Sequence, residues 1–308
     1  MRAAVIDVGS NSIKLLVADS AVGGRVKEIL SKTLEVRIGT GIGRDNPSLN
    51  SEGMERGLRA IEELAAEARG LGSERLCAVA TSAVRDAANG PDFRARVQSA
   101  TGLELRILTG IEEADGIGRG LTTDPALSHL RDFQVYDLGG GSLECLQFRD
   151  RRVGSAVSLP LGCVRLTEKF VADPAAPLQP EAISQITQHV RDVLSDSGFP
   201  LPAAPGMAIV GTGGTLTTAR AIGAARDGLT LDRSDPRIRV ASLREMLALL
   251  APLDLPSRRS IPGLPASRAD VFPIALATLV AVASLGGIEA FQHSFRNLRW
   301  GLAAQLLE

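Results

Sequence analysis

The chain has 308 residues, which is roughly two domains' worth at about 150 residues each. Its hydrophobic fraction of 44% and charged fraction of 22% are typical of a globular protein and exclude a disordered chain. A net charge of -1 and an aromatic content of 3% exclude the general basic field and the stacking platforms of nucleic-acid-binding proteins.

The first predicted elements are two strands, at about residues 2–9 and 12–20, joined by a turn of small polar residues. The first of these strands contains Asp7, and the turn is Gly9-Ser10-Asn11. A glycine-led turn after a buried strand lets backbone N–H groups converge on an anion. We expect a phosphate-binding loop here, although an Asp7 that only stabilises the hairpin as an Asx turn would also suit this pattern.

Strands and helices then alternate as far as residue 121, which predicts a mixed sheet with helices on its faces. The best-marked helix is Ser51 to Leu71, with Ser51 as its N-cap and glycines at its end. The other predicted segments are extended at 26–38, 76–80 and 103–108 and helical at 83–88, 93–99 and 112–121.

A second hairpin is predicted after a linker at 122–132. Its first strand contains Asp137 and leads into Gly139-Gly140-Gly141-Ser142, and its returning strand contains Glu144. Three glycines in a row are typical of a phosphate-binding turn, although a tight hairpin alone is the simpler alternative. Two carboxylates beside a phosphate repel it unless a divalent cation lies between them. We therefore expect a magnesium-like ion near Asp137 and Glu144.

A third apolar strand, 208–210, runs into Gly211-Thr212-Gly213-Gly214 and a helical segment at 216–222. Three such turns in one chain favour a shared anionic ligand over three unrelated hairpins. The remaining predicted helices begin near 163 and span 181–197, 243–250, 268–285 and 296–307. The apolar run from Phe272 to Leu285 is shorter than the ~20 residues of a membrane span, and it predicts a buried helix.

Several motifs make the chain resemble the exopolyphosphatase/guanosine pentaphosphate phosphohydrolase (Ppx/GppA) family, in its short two-domain form. They are Asp7-Val8-Gly9-Ser10-Asn11-Ser12, Ala80-Thr81-Ser82-Ala83-Val84-Arg85-Asp86-Ala87, Thr109-Gly110-Ile111-Glu112-Glu113-Ala114, Asp137-Leu138-Gly139-Gly140-Gly141-Ser142-Leu143-Glu144, Leu161-Gly162-Cys163-Val164-Arg165-Leu166-Thr167-Glu168, Arg268-Ala269-Asp270 and Leu298-Arg299-Trp300-Gly301. They occur in the family's order over nearly the whole chain. Thr40 and Asp115 depart from the family pattern, which weakens the transfer of substrate contacts in the first domain.

The resemblance implies an α/β fold of the actin-like ATPase (ribonuclease H-like) type, duplicated into two domains that flank a cleft. The repeated Asp-led hairpin agrees with this duplication. The expected domains are residues 1–121 with about 296–308, where the last helix returns to the first domain, and residues 122–295.

The resemblance also assigns roles to individual residues. Glu113 is expected to position or deprotonate the attacking water, although an acid in the first turn of a helix is often only solvated. Asp137 and Glu144 are expected to hold Mg²⁺ or another divalent cation. The expected phosphate-binding residues are Asp7, Gly9, Ser10, Asn11, Arg85, Gly139, Gly140, Gly141, Ser142, Gly211, Thr212, Gly213, Gly214 and Arg268. For Arg85, an ordinary surface arginine is the alternative.

The expected function is hydrolysis of the terminal phosphoanhydride bonds of inorganic polyphosphate, and in addition of guanosine pentaphosphate. The alternatives are an actin-like phosphotransferase, that is a kinase, and a non-catalytic binder of polyphosphate or alarmone. No acceptor-site motif accompanies the loops, and the intact Glu113, Asp137 and Glu144 argue against a mere binder.

The expected surroundings are those of a cytoplasmic enzyme. Met1-Arg2-Ala3 runs straight into a strand, without the pattern of a signal peptide, and three cysteines lack metal-ligand spacing. The expected partners are the phosphate substrate and, in a possible homodimer, a second copy of the chain. Neither a nucleic acid nor a membrane is expected as a partner.

Overall fold

A computed structural model of the protein describes residues 1–21 and 25–308. These residues form two compact units, Met1–His129 with Arg296–Glu308 and Leu130–Phe295. The first boundary follows His129 rather than residue 121, because a short 3-10 helix over Pro125–Leu127 continues the first unit beyond the predicted boundary.

The first unit contains a five-stranded sheet in the order β3-β2-β1-β4-β5. Strands β1, β2 and β3 form an antiparallel meander, whereas β4 and β5 continue the sheet in parallel from β1. The elements of this unit are β1 (Arg2–Val8), β2 (Ser12–Ala21), β3 (Arg25–Glu35), α1 (Ser51–Gly70), β4 (Arg75–Ala80), α2 (Ser82–Arg85), α3 (Gly90–Thr101), β5 (Leu105–Ile107), α4 (Gly110–Thr122) and α11 (Leu298–Leu307).

The N-terminus of α1 corrects one detail of the sequence prediction. The N-cap is Asn50 and not Ser51, because the Asn50 side chain accepts a hydrogen bond of 2.6 Å from the Gly53 amide. Asparagine and serine are comparable N-caps, so the sequence alone did not distinguish them.

Helices α4 and α11 pack against each other through glycines. A Cβ on Gly301 would lie 1.9 Å from the Gly116 carbonyl oxygen, and one on Gly120 would lie 2.0 Å from the Asn297 carbonyl oxygen. Only residues without a side chain allow the two helix backbones to approach this closely. The position of α4 therefore depends on α11.

The second unit contains a six-stranded sheet in the order β10-β11-β9-β6-β7-β8. Its elements are β6 (Phe133–Leu138), β7 (Leu143–Arg149), β8 (Arg152–Leu159), α5 (Cys163–Phe170), α6 (Pro180–Asp196), β9 (Ala208–Thr212), α7 (Gly213–Arg226), β10 (Arg237–Arg239), α8 (Val240–Leu250), α9 (Leu255–Arg259), α10 (Phe272–Gly286) and β11 (Ala290–His293).

The two sheets share one topology. In the second unit β6, β7 and β8 form the antiparallel meander, and β9 and β11 continue it in parallel from β6. The order β8-β7-β6-β9-β11 thus repeats β3-β2-β1-β4-β5, with β10 added at the edge. The predicted duplicated α/β fold of the actin-like type is confirmed.

Helix α10 is buried along most of its length and packs against α6 and α8. It begins at Phe272 rather than at the predicted Arg268, because Pro273 occupies the first turn, where its missing N–H leaves no bond unmade. Within residues 1–21 and 25–308, no helix is long and apolar enough to cross a membrane.

Candidate functional site

Two acidic side chains face each other on the first hairpin of the second unit. Asp137 on β6 lies opposite Glu144 on β7, so the two carboxylates share one face of the sheet. Both are buried, with 7% and 2% of their surface exposed. Glu144 also accepts a hydrogen bond of 2.7 Å from the Ser158 hydroxyl. The hairpin therefore places two carboxylates together beside its turn.

The turn of this hairpin is held by the N-terminus of α5. The Gly139 carbonyl accepts from the Cys163 amide at 3.0 Å, and the Gly140 carbonyl accepts from the Val164 amide at 2.8 Å. The Gly141 carbonyl accepts from Arg165 Nε at 2.9 Å. Three successive carbonyls of the turn thus point toward α5.

The orientation of these carbonyls fixes the orientation of the amides that follow them. In a trans peptide the N–H points opposite to the C=O, so the amides of Gly140, Gly141 and Ser142 point away from α5. In the part of the chain that the structure describes, none of these three amides donates to a protein acceptor. Adjacent unpaired amides that point the same way form an anion-binding nest.

Gly162, the residue before α5, supports this turn from behind. A Cβ at Gly162 would lie 2.2 Å from the Gly141 carbonyl carbon and 2.3 Å from the Gly140 carbonyl oxygen. The turn can take its position only because residue 162 has no side chain. Sequence reasoning quoted Gly162 as part of a motif but gave it no role.

The third glycine-rich turn lies against the same hairpin. A Cβ at Gly213, whose φ is +87°, would lie 2.0 Å from Asp137 Oδ1, and the Thr215 hydroxyl donates to the Leu138 carbonyl at 2.9 Å. Gly213 is also the first residue of α7, whose N-cap Thr212 makes no side-chain capping bond. The N-terminus of α7, with its partial positive charge, is therefore close to the Asp137 carboxylate.

Arg268 joins this group from a short 3-10 helix over Ala266–Arg268. Its guanidinium packs on Gly214, where a Cβ would lie 2.2 Å from Nη1, and only 8% of the residue is exposed. It donates one long hydrogen bond of 3.4 Å to Thr215, and its buried Nε has no partner among the described residues. A buried arginine with spare donors beside two glycine turns suits an anionic ligand. The second unit thus brings together Asp137, Gly139–Ser142, Glu144, Gly211–Gly214 and Arg268.

The first unit repeats the supported turn with Gly9-Ser10-Asn11. The Ser10 carbonyl accepts from the Gly39 amide at 2.8 Å, and the Asn11 carbonyl accepts from the Arg37 amide at 2.8 Å. A Cβ at Gly39 would lie 2.7 Å from the Ser10 Cβ. Gly39 therefore supports the Gly9-Ser10-Asn11 turn in the same way as Gly162 supports the turn at Gly139–Ser142.

Within the described chain, the Ser10 and Asn11 amides donate to no protein acceptor. The Asn11 side chain, by contrast, donates to Glu35 at 2.7 Å and accepts from Arg37 at 3.2 Å. The backbone amide of Asn11 and the second N–H of its side chain are therefore left to contact a phosphate. Burial raises the pKa of Asp7, although the positive charges of Lys14 and Arg299 act to lower it.

Glu113 and Arg85 form an ion pair in the first unit. Arg85 Nη1 lies 2.7 Å from Glu113 Oε2 and also donates to the Leu108 carbonyl at 3.2 Å. Glu113 is 6% exposed and lies in the first turn of α4, which starts with a capping box between Thr109 and Glu112. The ion pair fixes the orientation of one carboxylate oxygen of Glu113.

Sequence reasoning gave no role to the two supporting glycines, Gly39 and Gly162. A signal was present, since each follows an aliphatic residue, Ile38 or Leu161, a few residues after the third strand of its unit. Comparing the two halves at that position would have identified the pair.

The sequence predicts a magnesium-like ion near the carboxylates of Asp137 and Glu144. No cluster of three or more His, Cys, Asp or Glu side chains suited to a metal occurs in the described ranges 1–21 and 25–308. Magnesium, however, usually takes only one or two protein carboxylates and completes its shell with water and substrate phosphates. Two buried carboxylates on one face, beside a turn with outward amides, fit that requirement.

Comparison with known proteins gives a match to a family model and matches to solved structures. A model of the Ppx/GppA phosphatase family matches residues 16–308. An exopolyphosphatase-like protein is 25% identical with a TM-score of 0.88, covering 99% of this chain and 97% of its own. A Ppx/GppA family member from Aquifex aeolicus is 25% identical with a TM-score of 0.77, covering 100% and 97%. An exopolyphosphatase from Cytophaga hutchinsonii is 22% identical with a TM-score of 0.86, covering 100% and 98%, and shows the fold.

Proposed function

Because the chain belongs to the Ppx/GppA phosphatase family, we propose that it hydrolyses the terminal phosphoanhydride bond of inorganic polyphosphate and also that of guanosine pentaphosphate. The observation that carries this proposal is the set of outward amides at Gly140, Gly141 and Ser142, beside the N-terminus of α7. These groups offer a phosphate chain backbone donors without requiring a base or a sugar for recognition.

Phosphoryl transfer requires positioning and charge neutralisation more than covalent chemistry. The turn amides and Arg268 would hold the phosphate oxygens and stabilise the charge that they carry in the transition state. Asp137 and Glu144 would hold a magnesium ion, which neutralises phosphate charge when it is bound. Each of these groups belongs to the second unit.

Glu113 would take the proton from the attacking water. Arg85, which pairs with one oxygen of this carboxylate at 2.7 Å, would orient it toward that water. Arg85 would also contact a phosphate oxygen, since the planar guanidinium suits the geometry of a phosphate group.

The test measures phosphate release from medium-chain polyphosphate, guanosine pentaphosphate and ATP, with magnesium and with excess chelator. We expect release from the first two substrates and loss of that release in chelator. Transfer of phosphate from ATP to an acceptor would indicate a kinase instead. Binding of all three substrates without turnover would indicate a non-catalytic binder.

Glu113→Gln tests the base. We expect turnover to fall on the order of 10²-fold or more with polyphosphate binding retained. The matched control is Asp115→Asn, which removes the same charge from an exposed position of the same helix and should leave turnover near wild type. Near wild-type hydrolysis by Glu113→Gln would remove Glu113 from the mechanism.

A further inference from the structure

A cavity of about 240 Å³ lies in the second unit among α7, β10 and α8. Arginine and serine side chains line much of it, and none of the residues assigned above to phosphate, metal or catalysis is among them. The polar groups on its wall that matter most are Arg220, Ser234, Arg237, Arg239 and Ser242.

Arg220 is a buried cation with only neutral hydrogen-bond partners. It is 8% exposed, and it donates to the hydroxyl and the carbonyl of Ser234 at 2.9 and 2.7 Å and to His293 Nδ1 at 3.3 Å. Of the five guanidinium donors, two remain. No carboxylate of the described residues forms an ion pair with it. Asp235 and Asp232 attract Arg220 only from beyond ion-pair distance, and burial still lowers its pKa, so an anion in the cavity would supply a direct counter-charge.

Two more arginines face the same cavity from the edge strand β10. Arg237 and Arg239 are two residues apart in the strand, so their side chains lie on one side of the sheet. In the ranges that the structure covers, neither forms an ion pair. Of the two acids on the cavity wall, Asp227 pairs with Arg226 at 3.3 Å, and Asp235 accepts from the Arg237 amide at 2.8 Å and keeps its negative charge. Four arginines and two aspartates line the cavity, so its wall carries an excess of positive charge.

The cavity lies beside the third glycine turn. Arg237 is in register with Gln292 on β11, and Gln292 is in register with Val210 on β9, two residues before Thr212. Two strand spacings separate β10 from β9, which is about 10 Å. A chain of phosphates held at the third turn would therefore reach the cavity within a few phosphate groups.

A hydrogen-bond relay also links the cavity to that turn. Because His293 Nδ1 accepts from Arg220, Nε2 carries the proton and donates to the Thr217 hydroxyl at 3.1 Å. That hydroxyl in turn donates to the Gly213 carbonyl at 2.9 Å. Burial and the neighbouring Arg220 lower the pKa of His293 to about 3, so the relay keeps a neutral imidazole.

We propose that this cavity is a second phosphate-binding subsite, in which Arg220, Arg237 and Arg239 hold phosphate groups beside the third glycine turn. The phosphates would come either from the distal part of a polyphosphate chain whose end lies at the glycine turns, or from a separate small phosphate ligand. The first source rests on the proposed function, whereas the second does not.

The experiment measures dissociation constants by titration calorimetry in a Glu113→Gln background, which prevents turnover. The test variant is Arg237→Gln with Arg239→Gln, two exposed positions whose change should not disturb folding. The control is Arg191→Gln, which removes the same charge from an exposed position of α6 outside the cavity. The probes are a long polyphosphate, tripolyphosphate, pyrophosphate and guanosine.

We expect the double variant to raise the Kd of long polyphosphate about tenfold, which corresponds to about 1.4 kcal/mol. The rise should be smaller for tripolyphosphate, and the salt dependence of long-chain binding should become shallower. If only pyrophosphate binding is lost, the subsite serves a separate phosphate ligand. Arg191→Gln should change neither constant.

Two results would overturn the inference. One is unchanged affinity of the double variant for every phosphate probe. The other is guanosine binding that disappears in the double variant, since guanosine has no phosphate and would make the cavity a nucleoside site. If phosphate binding depends on these arginines but the wild-type protein hydrolyses none of the substrates, the proposed function is contradicted and the subsite stands.

Discussion

Replacing Gly162 by alanine should displace the central glycine turn. The new Cβ would lie 2.2 Å from the Gly141 carbonyl carbon, whereas carbon atoms in contact are about 3.5–4.0 Å apart. The turn must therefore move by more than about 1 Å, taking the amides of Gly140 and Gly141 with it. Misplacement of a reacting group by that distance costs about 10²-fold in rate, so we expect kcat/KM for polyphosphate to fall about 10²-fold.

The same substitution overpacks a close contact, so we expect the free energy of unfolding to fall by about 1–3 kcal/mol. Both quantities are measured, by phosphate release and by urea denaturation. Gly154→Ala, in β8 of the same unit, is the matched control, because its Cβ would lie 3.4 Å from the flexible side chain of Arg149. If Gly162→Ala loses stability but keeps wild-type kcat/KM and polyphosphate affinity, the turn amides do not bind the phosphate chain.

Three further predictions concern packing and protonation. Gly301→Ala should lower the free energy of unfolding by about 1–3 kcal/mol in urea denaturation, because its Cβ would lie 1.9 Å from the Gly116 carbonyl oxygen. Gly70→Ala is the control and should not lower it, since a Cβ there would meet nothing within 4 Å. The His293 pKa of about 3 lies below the unfolded value near 6.5, so the free energy of unfolding should fall as the pH drops below 6.5. At pH 5 the expected loss is about 2 kcal/mol. Urea denaturation of His293→Gln should show a smaller loss over the same pH range. Burial raises the pKa of the Cys145 thiol well above its usual value. A thiol reagent at pH 8 should therefore modify Cys145 in the unfolded chain but not in the native protein. Rapid labelling of Cys145 in the native protein would contradict this.

The sequence predicted the parts of the fold that depend on neighbouring residues. The hairpins around Asp7 and Asp137 were predicted because an apolar strand, a small-residue turn and a returning strand are contiguous. Strands β10 and β11 were not predicted, since they have only three and four residues and are stabilised by pairing with other strands.

Comparing the two halves of the sequence pairs Gly39 with Gly162, but the contacts that these glycines make could not be predicted, because they join segments that are distant along the chain. Gly162 acts on Gly140 and Gly141 from outside the hairpin, and Gly39 acts on Ser10 from beyond β3. Nothing in the spacing of these glycines states which turn they touch. Likewise, the pairing of Arg85 with Glu113 joins residues from two helices, and neither motif alone predicts it.

The order of the elements along the chain has a consequence for synthesis on the ribosome. Helix α11, which packs on α4, β1 and β2, is made only after the whole second unit has been translated. At ~5–20 residues per second that delay is roughly ten to thirty seconds. During this time the nascent first unit exposes the glycine face of α4. Native order around Glu113 should therefore be acquired late in biosynthesis, although its helix is translated early.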